Sequence, residues 1–244
     1  MLYIIGLGLN YDGIGKFALE TVKRCKKVYL ENYTVNFPYA TTDLTDVLGK
    51  KVELADREKV ENLSLVDEAR KKDVALLVYG SPLTATTHIT LYKECRESGV
   101  KCKILHNASI LEAVAETGLQ LYKFGKITSM PKWQPEKNYT PDSFMDVVKE
   151  NESIGAHSLI LCDIDLTLHF AMLQLEDAAK NKDYKLKKIA ICHALGTPNA
   201  RIYYANFKDF KDWRGVKPPF CIVIPGKMND YEKSVLEMFS AKLE

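Results

Sequence analysis

The run Val74–Val78, in which every residue is apolar, constrains the fold of this chain more than any other segment. Charged residues precede the run and Gly80 follows it. A short apolar run with such boundaries is typical of a strand buried on both faces, at the centre of a parallel sheet. Gly80 and Pro82 predict a tight exit from that strand. Because ligands of open α/β sheets bind at the carboxyl ends of strands, we expect a small molecule at this loop.

Strand-like and helix-like segments alternate through the first half of the chain. Strands are predicted at residues 2–5, 27–30, 74–78 and 102–105. Helices are predicted at residues 17–26, 42–48, 63–71, 88–98 and 109–117, the last with the capping-box spacing of Ser109 and Glu112. Such alternation predicts a mainly parallel sheet with flanking helices.

The second half has a different pattern. Strands are predicted at residues 158–162, 188–192 and 220–224, with longer helices at 166–180 and 230–243. Residues 130–141 contain several prolines and predict a loop or an edge segment. We therefore expect two α/β domains, the second with a mixed sheet, and a boundary near Leu121.

Composition narrows the class of protein but not the activity. The chain has 244 residues, of which 46% are hydrophobic and 27% charged, as is ordinary for a globular protein with a real core. A formal net charge of +2 gives no broad electrostatic case for binding nucleic acid or an anionic membrane. Lysine-rich patches at 185–188 and 208–217 are interpreted as solvated surface.

The six cysteines predict neither a metal site nor a disulfide framework. They show no metal-ligand spacing, and three of them, Cys162, Cys192 and Cys221, lie in apolar strand-like runs. The five histidines are equally scattered, so we expect no bound metal. The first strand begins at once after Met1, and no apolar run is long enough to span a bilayer. A reduced, cytoplasmic setting is expected.

The turn at Gly6 and Gly8 invites a dinucleotide interpretation, which we considered and disfavour. The dinucleotide fingerprint needs a third glycine where this chain has Tyr11, and the following segment predicts a late helix start. Glu31, at the end of the second strand, could mimic the acidic residue that holds a ribose. The alternative role for both glycines is close approach of backbone in a sharp turn.

Several motifs in order along the chain resemble one family. The segment Gly-Ser-Pro-Leu-Thr-Ala-Thr-Thr-His at 80–88 resembles the Gly-Asp-Pro-(Leu/Phe)-x-Ala-Thr-Thr-His loop of diphthine synthases, which are S-adenosylmethionine methyltransferases of the tetrapyrrole-methylase-like class. The segment Gly-Leu-Gln-Leu-Tyr-Lys-Phe-Gly at 118–125 is similar to a signature of the same family. Further segments that resemble the family lie at 1–9, 29–34, 106–110, 156–164 and 218–226.

The resemblance implies an architecture and a cofactor site. It implies two α/β domains, residues 1–121 and 122–244, with S-adenosylmethionine in a cleft between them, and a homodimer. The implied cofactor-binding residues are Leu9, Ser81, Thr84, Ser109, Ile110, Cys162, Leu195 and Phe220. Two of them depart from the family: Ser81 stands where an Asp is usual, and Phe220 where a His is common.

Each of these residues also has a purely structural interpretation. Ser109 is a good helix N-cap, and Thr86 and Thr87 could cap the helix that follows them. His88 could be a pocket residue or a helix-terminal histidine with a structural hydrogen bond. Leu195 and Phe220 could belong to the core.

Two further segments bear on the site. Asp163 and Asp165, two apart at the end of a strand, would point to opposite faces, which argues against a shared metal or acid–base role. The segment His-Phe-Ala-Met at 169–172 departs from the Arg/Lys-Tyr-Met pattern of the family, which affects expected contacts with the protein substrate.

The activity implied by the resemblance is repeated methylation of an amine. The substrate would be translation elongation factor 2 carrying a 3-amino-3-carboxypropyl-histidine, and the product either a trimethylated amine or that amine with a methyl ester. Because the cofactor carries the hard chemistry, we assign no general base. Two alternatives stay open at this point: a tetrapyrrole methyltransferase of the same fold, and a non-catalytic binding module.

Overall fold

A computed structural model describes residues 1–240 of the chain. The chain divides into two compact units, Met1–Leu111 and Glu112–Glu244. The division falls before the boundary expected near Leu121, and the functional domains 1–121 and 122–244 stay a prediction.

The first unit contains a parallel sheet, as predicted, and this sheet has five strands rather than the four expected. The strands are β1 (Leu2–Gly6), β2 (Lys27–Glu31), β3 (Glu53–Ala55), β4 (Val74–Val78) and β5 (Cys102–Leu105), in the spatial order β3-β2-β4-β1-β5. Leu2 pairs with Val74 and Gly6 with Val78, so β1 and β4 run side by side over their full length.

The central position of β4 follows from its apolar sequence. All five residues of β4 are buried. Val74, Leu76 and Val78 pack into one hydrophobic cluster, while Ala75 and Leu77 pack into another. Because successive side chains of a strand point to opposite faces, both faces of the sheet are covered. This confirms the prediction made from the apolar run.

Six helices accompany this sheet. They are α1 (Lys16–Arg24), α2 (Thr41–Leu48), α3 (Arg57–Glu61), α4 (Ser64–Ala69), α5 (Ile89–Glu97) and α6 (Ile110–Ala113). The helix predicted over 109–117 is an α-helix only at α6 and continues as a 3₁₀ turn over Val114–Thr117. The sequence interpretation missed β3 and α3, because a strand of three residues leaves too little pattern.

The second unit contains a mixed five-stranded sheet, also as predicted. Its strands are β6 (Thr128–Met130), β7 (Ser158–Cys162), β8 (Lys188–His193), β9 (Arg201–Asn206) and β10 (Phe220–Ile224), in the order β6-β7-β10-β8-β9. Only the β6–β7 pairing is parallel. The edge segment expected at 130–141 begins with the end of β6, and the other edge strand, β9, was not predicted.

The helices of the second unit are α7 (Phe144–Ser153), α8 (Leu168–Asn181), α9 (Phe207–Phe210) and α10 (Asp230–Glu237). The predicted last helix extended to Leu243, which lies outside the described residues, whereas α10 ends at Glu237. Asn229 begins α10 with a complete capping box, in which its side chain accepts from the Glu232 backbone.

Helix α8 covers one face of the second sheet. Its residues Leu168, Ala171, Met172 and Leu175 are buried at helical spacing in the core cluster of this unit. Within residues 1–240, no helix has the length and apolar character that a bilayer crossing requires.

Candidate active site

Three strand ends meet at one edge of the first sheet. The turn after β1 and the loop after β4 are joined by a reciprocal backbone pair: Gly8 N donates to Gly80 O at 3.1 Å, and Gly80 N donates to Gly8 O at 2.9 Å. The segment after β5 adds Asn107, whose Nδ2 donates to Gly6 O at 3.2 Å. Strands β4, β1 and β5 are neighbours, so their carboxyl ends are brought together as the parallel sheet requires.

The glycine turn serves close packing. A Cβ on Gly6 would lie 2.5 Å from Gly80 O and 2.9 Å from Pro82 Cδ. Gly8 has a φ of 75°, in the left-handed region that favours glycine. The Gly8 amide is committed to Gly80 O, and α1 begins only at Lys16, so a pyrophosphate would not meet a free helix terminus here.

Glu31 forms hydrogen bonds with the loop that follows it. Its carboxylate is fully buried and accepts hydrogen bonds from Tyr33 N at 2.8 Å and Thr34 Oγ1 at 2.6 Å. The carboxylate therefore holds the exit of β2, and the ribose-binding role considered for it is not supported.

The structure brings five of the predicted site residues to this edge. Leu9 is buried, and its carbonyl accepts from Tyr79 Oη at 3.1 Å. Ser81 follows Gly80, and its carbonyl accepts from Thr84 N at 3.1 Å. Ser109 and Ile110 follow Asn107, and α6 begins at Ile110. Their contact with a cofactor stays a prediction, but their common location is what a shared site needs.

Ser81 and Ser109 differ in what their hydroxyls do. Ser109 Oγ accepts from Leu111 N at 3.2 Å, as in the N-cap interpretation of this residue. Ser81 is nearly buried, and its side chain makes no hydrogen bond within residues 1–240. A small, unengaged hydroxyl beside Gly80 fits a ligand that has polar edges and an apolar body. Leu9 and Ile110 add the apolar surface.

The threonines before α5 do not cap it, so that prediction is wrong. Helix α5 begins at Ile89 with His88 at the N-cap position, and no side chain caps it. Thr86 Oγ1 instead donates to Pro82 O at 3.1 Å. His88 Nδ1 lies 3.2 Å from the same carbonyl, so both residues hold the loop.

His88 is a fully buried, structural histidine. Burial lowers the pKa of its imidazole, which stays neutral at pH 7 and can donate from Nδ1 to Pro82 O. Its ring also makes an edge contact with Tyr33, with centroids 6.4 Å apart. Of the two interpretations considered for His88, the structural hydrogen bond is the one observed.

An aromatic cluster at the same edge was missed by the sequence interpretation. Its members are Tyr11, Phe37, Tyr39 and Tyr79, hereafter the aromatic cluster. Phe37 lies 5.5 Å from Tyr39 and 5.6 Å from Tyr79 between ring centroids, and Tyr11 lies 6.0 Å from Tyr39. All four rings are half-buried. The available signal was that aromatic residues follow β1, β2 and β4, the strands whose ends were expected to carry the site.

The phenols of Tyr39 and Tyr79 are neutral. Burial raises the pKa of Tyr39, and the nearby Tyr79 raises it further. Burial raises the pKa of Tyr79 as well. These two residues therefore present uncharged rings and hydroxyls at physiological pH.

The three site residues predicted in the second unit lie at one edge of its sheet. Cys162 ends β7, Phe220 begins β10 opposite His193, and Leu195 follows β8. Burial raises the pKa of the Cys162 thiol well above its usual range, which favours the neutral thiol at physiological pH. Leu195 and Phe220 are buried, and Phe220 packs in the core cluster, as the structural alternative expected.

Within the aspartate pair beside Cys162, the Asp163 carboxylate is engaged by backbone. Asp163 accepts from Ile164 N at 2.9 Å and from Lys132 N at 3.0 Å, and Asp165 has a φ of 59°. These bonds hold the turn after β7. Across residues 1–240, no group of three or more His, Cys, Asp or Glu side chains is arranged to hold a metal ion.

Comparison with known proteins identifies the family of this chain. Residues 1–211 match the family model of tetrapyrrole (corrin/porphyrin) methylases. A diphthine synthase from Methanococcus maripaludis is 36% identical over 97% of this chain and 98% of its own length. A diphthine methyl ester synthase from Schizosaccharomyces pombe is 47% identical over 67% of this chain and 58% of its own length.

A solved structure shows the same fold over nearly the whole chain. A crystal structure of diphthine synthase superposes with a TM-score of 0.88 at 29% identity, covering 98% of this chain and 96% of the other. The motifs at 80–88 and 118–125 thus belong to a match that extends far beyond them. The chain therefore belongs to the tetrapyrrole methylase family and, within it, to the diphthine synthases, which makes it an S-adenosylmethionine-dependent methyltransferase.

Proposed function

We propose that this methyltransferase transfers methyl groups from S-adenosylmethionine to the amino group of the 3-amino-3-carboxypropyl-histidine on translation elongation factor 2. The relatives named diphthine synthase support the reaction class. The observation that carries the proposal is the junction of three strand ends at Gly8, Gly80 and Asn107, with the unengaged Ser81 hydroxyl beside it.

Residues of the first unit would hold the cofactor through small polar and apolar groups. Ser81 offers a hydroxyl, Gly80 brings backbone close, and Leu9 and Ile110 supply apolar contacts. Thr84 and Ser109 complete the set from this unit. The family resemblance adds Cys162, Leu195 and Phe220 from the second unit. Because the Cys162 pKa is raised by burial, its thiol would act as a neutral wall rather than as a nucleophile.

For methyl transfer, the protein mainly needs to position the donor and the acceptor and to exclude water from the site. When bound, S-adenosylmethionine supplies a methyl group already activated by its sulfonium charge. The protein must hold a neutral amine in line with that group, which is a matter of orientation rather than of proton transfer. The buried residues of the site fit this need, since His88 is neutral and bonded to Pro82 and Glu31 is occupied by its own loop. No general base is assigned.

The aromatic cluster supports repeated transfer to one nitrogen. Each transfer enlarges the acceptor and leaves it cationic. The mono- and dimethylated amines lose a proton before the next transfer, whereas the trimethylated product keeps a fixed positive charge. Neutral aromatic faces attract such a cation, whereas a lysine or arginine would repel it. Tyr39 and Tyr79 offer such faces at the sheet edge that carries Leu9. The cluster would therefore tolerate the mono-, di- and trimethylated amine in turn.

The direct test supplies elongation factor 2 that carries the unmethylated precursor. We would incubate this factor with the purified enzyme and labelled S-adenosylmethionine. The mass of the modified peptide is then measured by mass spectrometry. We expect three successive additions of one methyl group, and a fourth if the carboxylate is also esterified. Factor without the precursor serves as the control and should gain no label. Absence of label on the precursor, while an established synthase labels it, would defeat the proposal.

A tetrapyrrole acceptor is the second candidate, because the family model that matches residues 1–211 is named for tetrapyrroles. The full-length diphthine synthase relative argues against it. An absorbance screen with uroporphyrinogen or a corrinoid separates the two, since methylation of the macrocycle changes its spectrum. Cytoplasmic location and a homodimer stay predictions of the resemblance.

A further inference from the structure

A cavity in the second unit lies away from the predicted cofactor residues of that unit. Its volume is about 800 Å³, within the range of small-molecule sites. Ile224, Pro225 and Gly226 line it. Ile224 is the last residue of β10 and the other two follow it, whereas Phe220 is the first residue of this strand. Because β7 and β10 are antiparallel, Cys162 and Phe220 lie at the opposite edge of the sheet from this cavity.

The walls of the cavity carry an excess of positive charge. Four lysines line it, Lys187, Lys188, Lys227 and Lys233, against two carboxylates, Glu152 and Glu237. These lysines come from the start of β8, the loop after β10 and the middle of α10. Two of them belong to a stretch that the sequence interpretation placed on solvated surface. Here they surround a concave space, which a flat solvated face does not provide.

The two carboxylates are paired with two of the lysines. Lys188 Nζ lies 2.9 Å from Glu237 Oε1, and it also sits 4.9 Å from the centroid of the Tyr204 ring. Lys187 Nζ lies 3.9 Å from Glu152 Oε1. Within residues 1–240, neither Lys227 nor Lys233 forms a direct ion pair with a carboxylate, although the charge of Lys233 helps to lower the pKa of Glu237. The lining therefore carries two more positive than negative charges.

The backbone that carries Lys227 is held firmly. Lys227 N donates to Gly155 O at 2.9 Å, and Gly226 N donates to His157 Nδ1 at 2.9 Å. His157 Nε2 in turn lies 3.1 Å from Glu232 Oε1, and Glu232 is fully buried at the first turn of α10, the helix that carries Lys233. The two unpaired lysines thus stand on backbone segments that one buried network connects.

Tyr184 adds a neutral hydrogen-bond donor to the lining. Burial raises the pKa of Tyr184 to about 12, so its hydroxyl stays protonated at physiological pH. A neutral hydroxyl can donate to an anion without adding a charge of its own.

We propose that this cavity binds a small anion rich in phosphate groups, held by the unpaired Lys227 and Lys233. Lysine is a compact point charge with several donors and a regular binder of phosphate. The position of the cavity lets such an anion bind independently of S-adenosylmethionine. The chemistry is shared by free polyphosphate and by phosphorylated metabolites, and inorganic tripolyphosphate is the simplest probe of it.

The test uses methionine methyl groups as local reporters. The chain has six methionines, of which Met228 lines the cavity and Met145 is fully buried in the core of the same unit. The full-length protein, labelled with carbon-13 at the methionine methyls, is titrated with tripolyphosphate at low salt. We expect the Met228 resonance to shift with a saturable dissociation constant, and the Met145 resonance to stay in place. Saturating S-adenosylhomocysteine should leave that constant unchanged.

Matched substitutions locate the charge. The double substitution Lys227→Gln and Lys233→Gln should weaken binding about tenfold, as expected for two partly exposed ionic contacts. The double substitution Lys208→Gln and Lys217→Gln removes the same two charges from exposed sites in the same unit and should change the constant less than about twofold.

Three results would overturn the proposal. The first is an immobile Met228 resonance up to millimolar tripolyphosphate. The second is an unchanged constant in the double variant. The third is a tighter, Met228-shifting response to a hexaglutamate peptide than to tripolyphosphate, which would assign the cavity to an acidic protein segment instead.

Discussion

Substituting Gly6 with alanine tests whether the junction of strand ends depends on close backbone approach. The added Cβ would lie 2.5 Å from Gly80 O, whereas ordinary contact begins near 3.4 Å. It would also lie 2.9 Å from Pro82 Cδ, which is part of a rigid ring. The loop after β4 must therefore retreat from the turn after β1 by about 1 Å.

The cost has two parts. Overpacking a methyl group against backbone costs about 1–3 kcal/mol. The retreat also stretches the reciprocal hydrogen bonds between Gly8 and Gly80, each with a net contribution of about 1 kcal/mol. We expect Gly6→Ala to lower the free energy of unfolding by about 3 kcal/mol, which corresponds to a fall in melting temperature on the order of 5–10 °C. The substitution should also displace Ser81 and thereby weaken binding of S-adenosylhomocysteine.

The measurement must report on the first unit. Both tryptophans, Trp133 and Trp213, lie in the second unit, so thermal melts should be followed by circular dichroism and binding by calorimetry. Gly15→Ala is the matched control, because a Cβ there meets nothing within 4 Å. An alanine at Gly6 that melts and binds like the Gly15 control would refute the close-approach argument.

Further substitutions test charge and burial elsewhere. Ser81→Asp restores the carboxylate that is usual in the family. It should raise the affinity for S-adenosylmethionine severalfold relative to S-adenosylhomocysteine, because only S-adenosylmethionine carries a sulfonium charge. If calorimetry gives an unchanged ratio of the two affinities, Ser81 does not belong to the site. Lys123 and surrounding hydrogen bonds lower the pKa of buried Glu232 to about 2 despite burial, so its stabilisation is present above about pH 4.5 and is lost as pH falls towards 2. In urea unfolding, Glu232→Gln should therefore lower the free energy of unfolding by about 3 kcal/mol at pH 7 and reduce the loss of stability at acid pH. The control Glu150→Gln, in an exposed ion pair, should lower it by less than about 0.5 kcal/mol. Burial lowers the pKa of His88, so this histidine binds a proton more readily in the unfolded chain than in the folded one. The free energy of unfolding should therefore fall as pH drops below about 6.5. His88→Gln should reduce the slope of that free energy against pH, and an unaltered slope would contradict the burial argument.

Much of the fold was predictable because it rests on local pattern. The apolar run at β4 indicated burial on both faces, and the alternation around it indicated a parallel sheet. The mixed sheet of the second unit was also predicted, although its edge strands were not. Edge strand β9 is half exposed and β3 has three residues, so neither leaves a long apolar signature.

The sequence predicted the members of the candidate site but not the contacts that join them. The motif at 80–88 lies at the same sheet edge as Leu9, Ser81 and Ser109, and their contact with a cofactor stays a prediction. The capping role of Thr86 and Thr87 was wrong. Thr86 donates to Pro82 O instead, and the buried His88 contacts the same carbonyl, an arrangement that no local pattern reveals. Likewise, Glu31 turned out to be engaged by its own loop.

The sequence by itself determined which segments are buried strands, which family the motifs resemble, and which loop follows the central strand. The tertiary structure alone decided that Gly8 and Gly80 exchange hydrogen bonds, that four aromatic rings from three loops share one edge, and that Lys187 and Lys233 face one cavity. The physical reason is distance along the chain. Periodicity and turn preference act over a few residues, whereas these contacts join residues that only the packing of the whole sheet brings together.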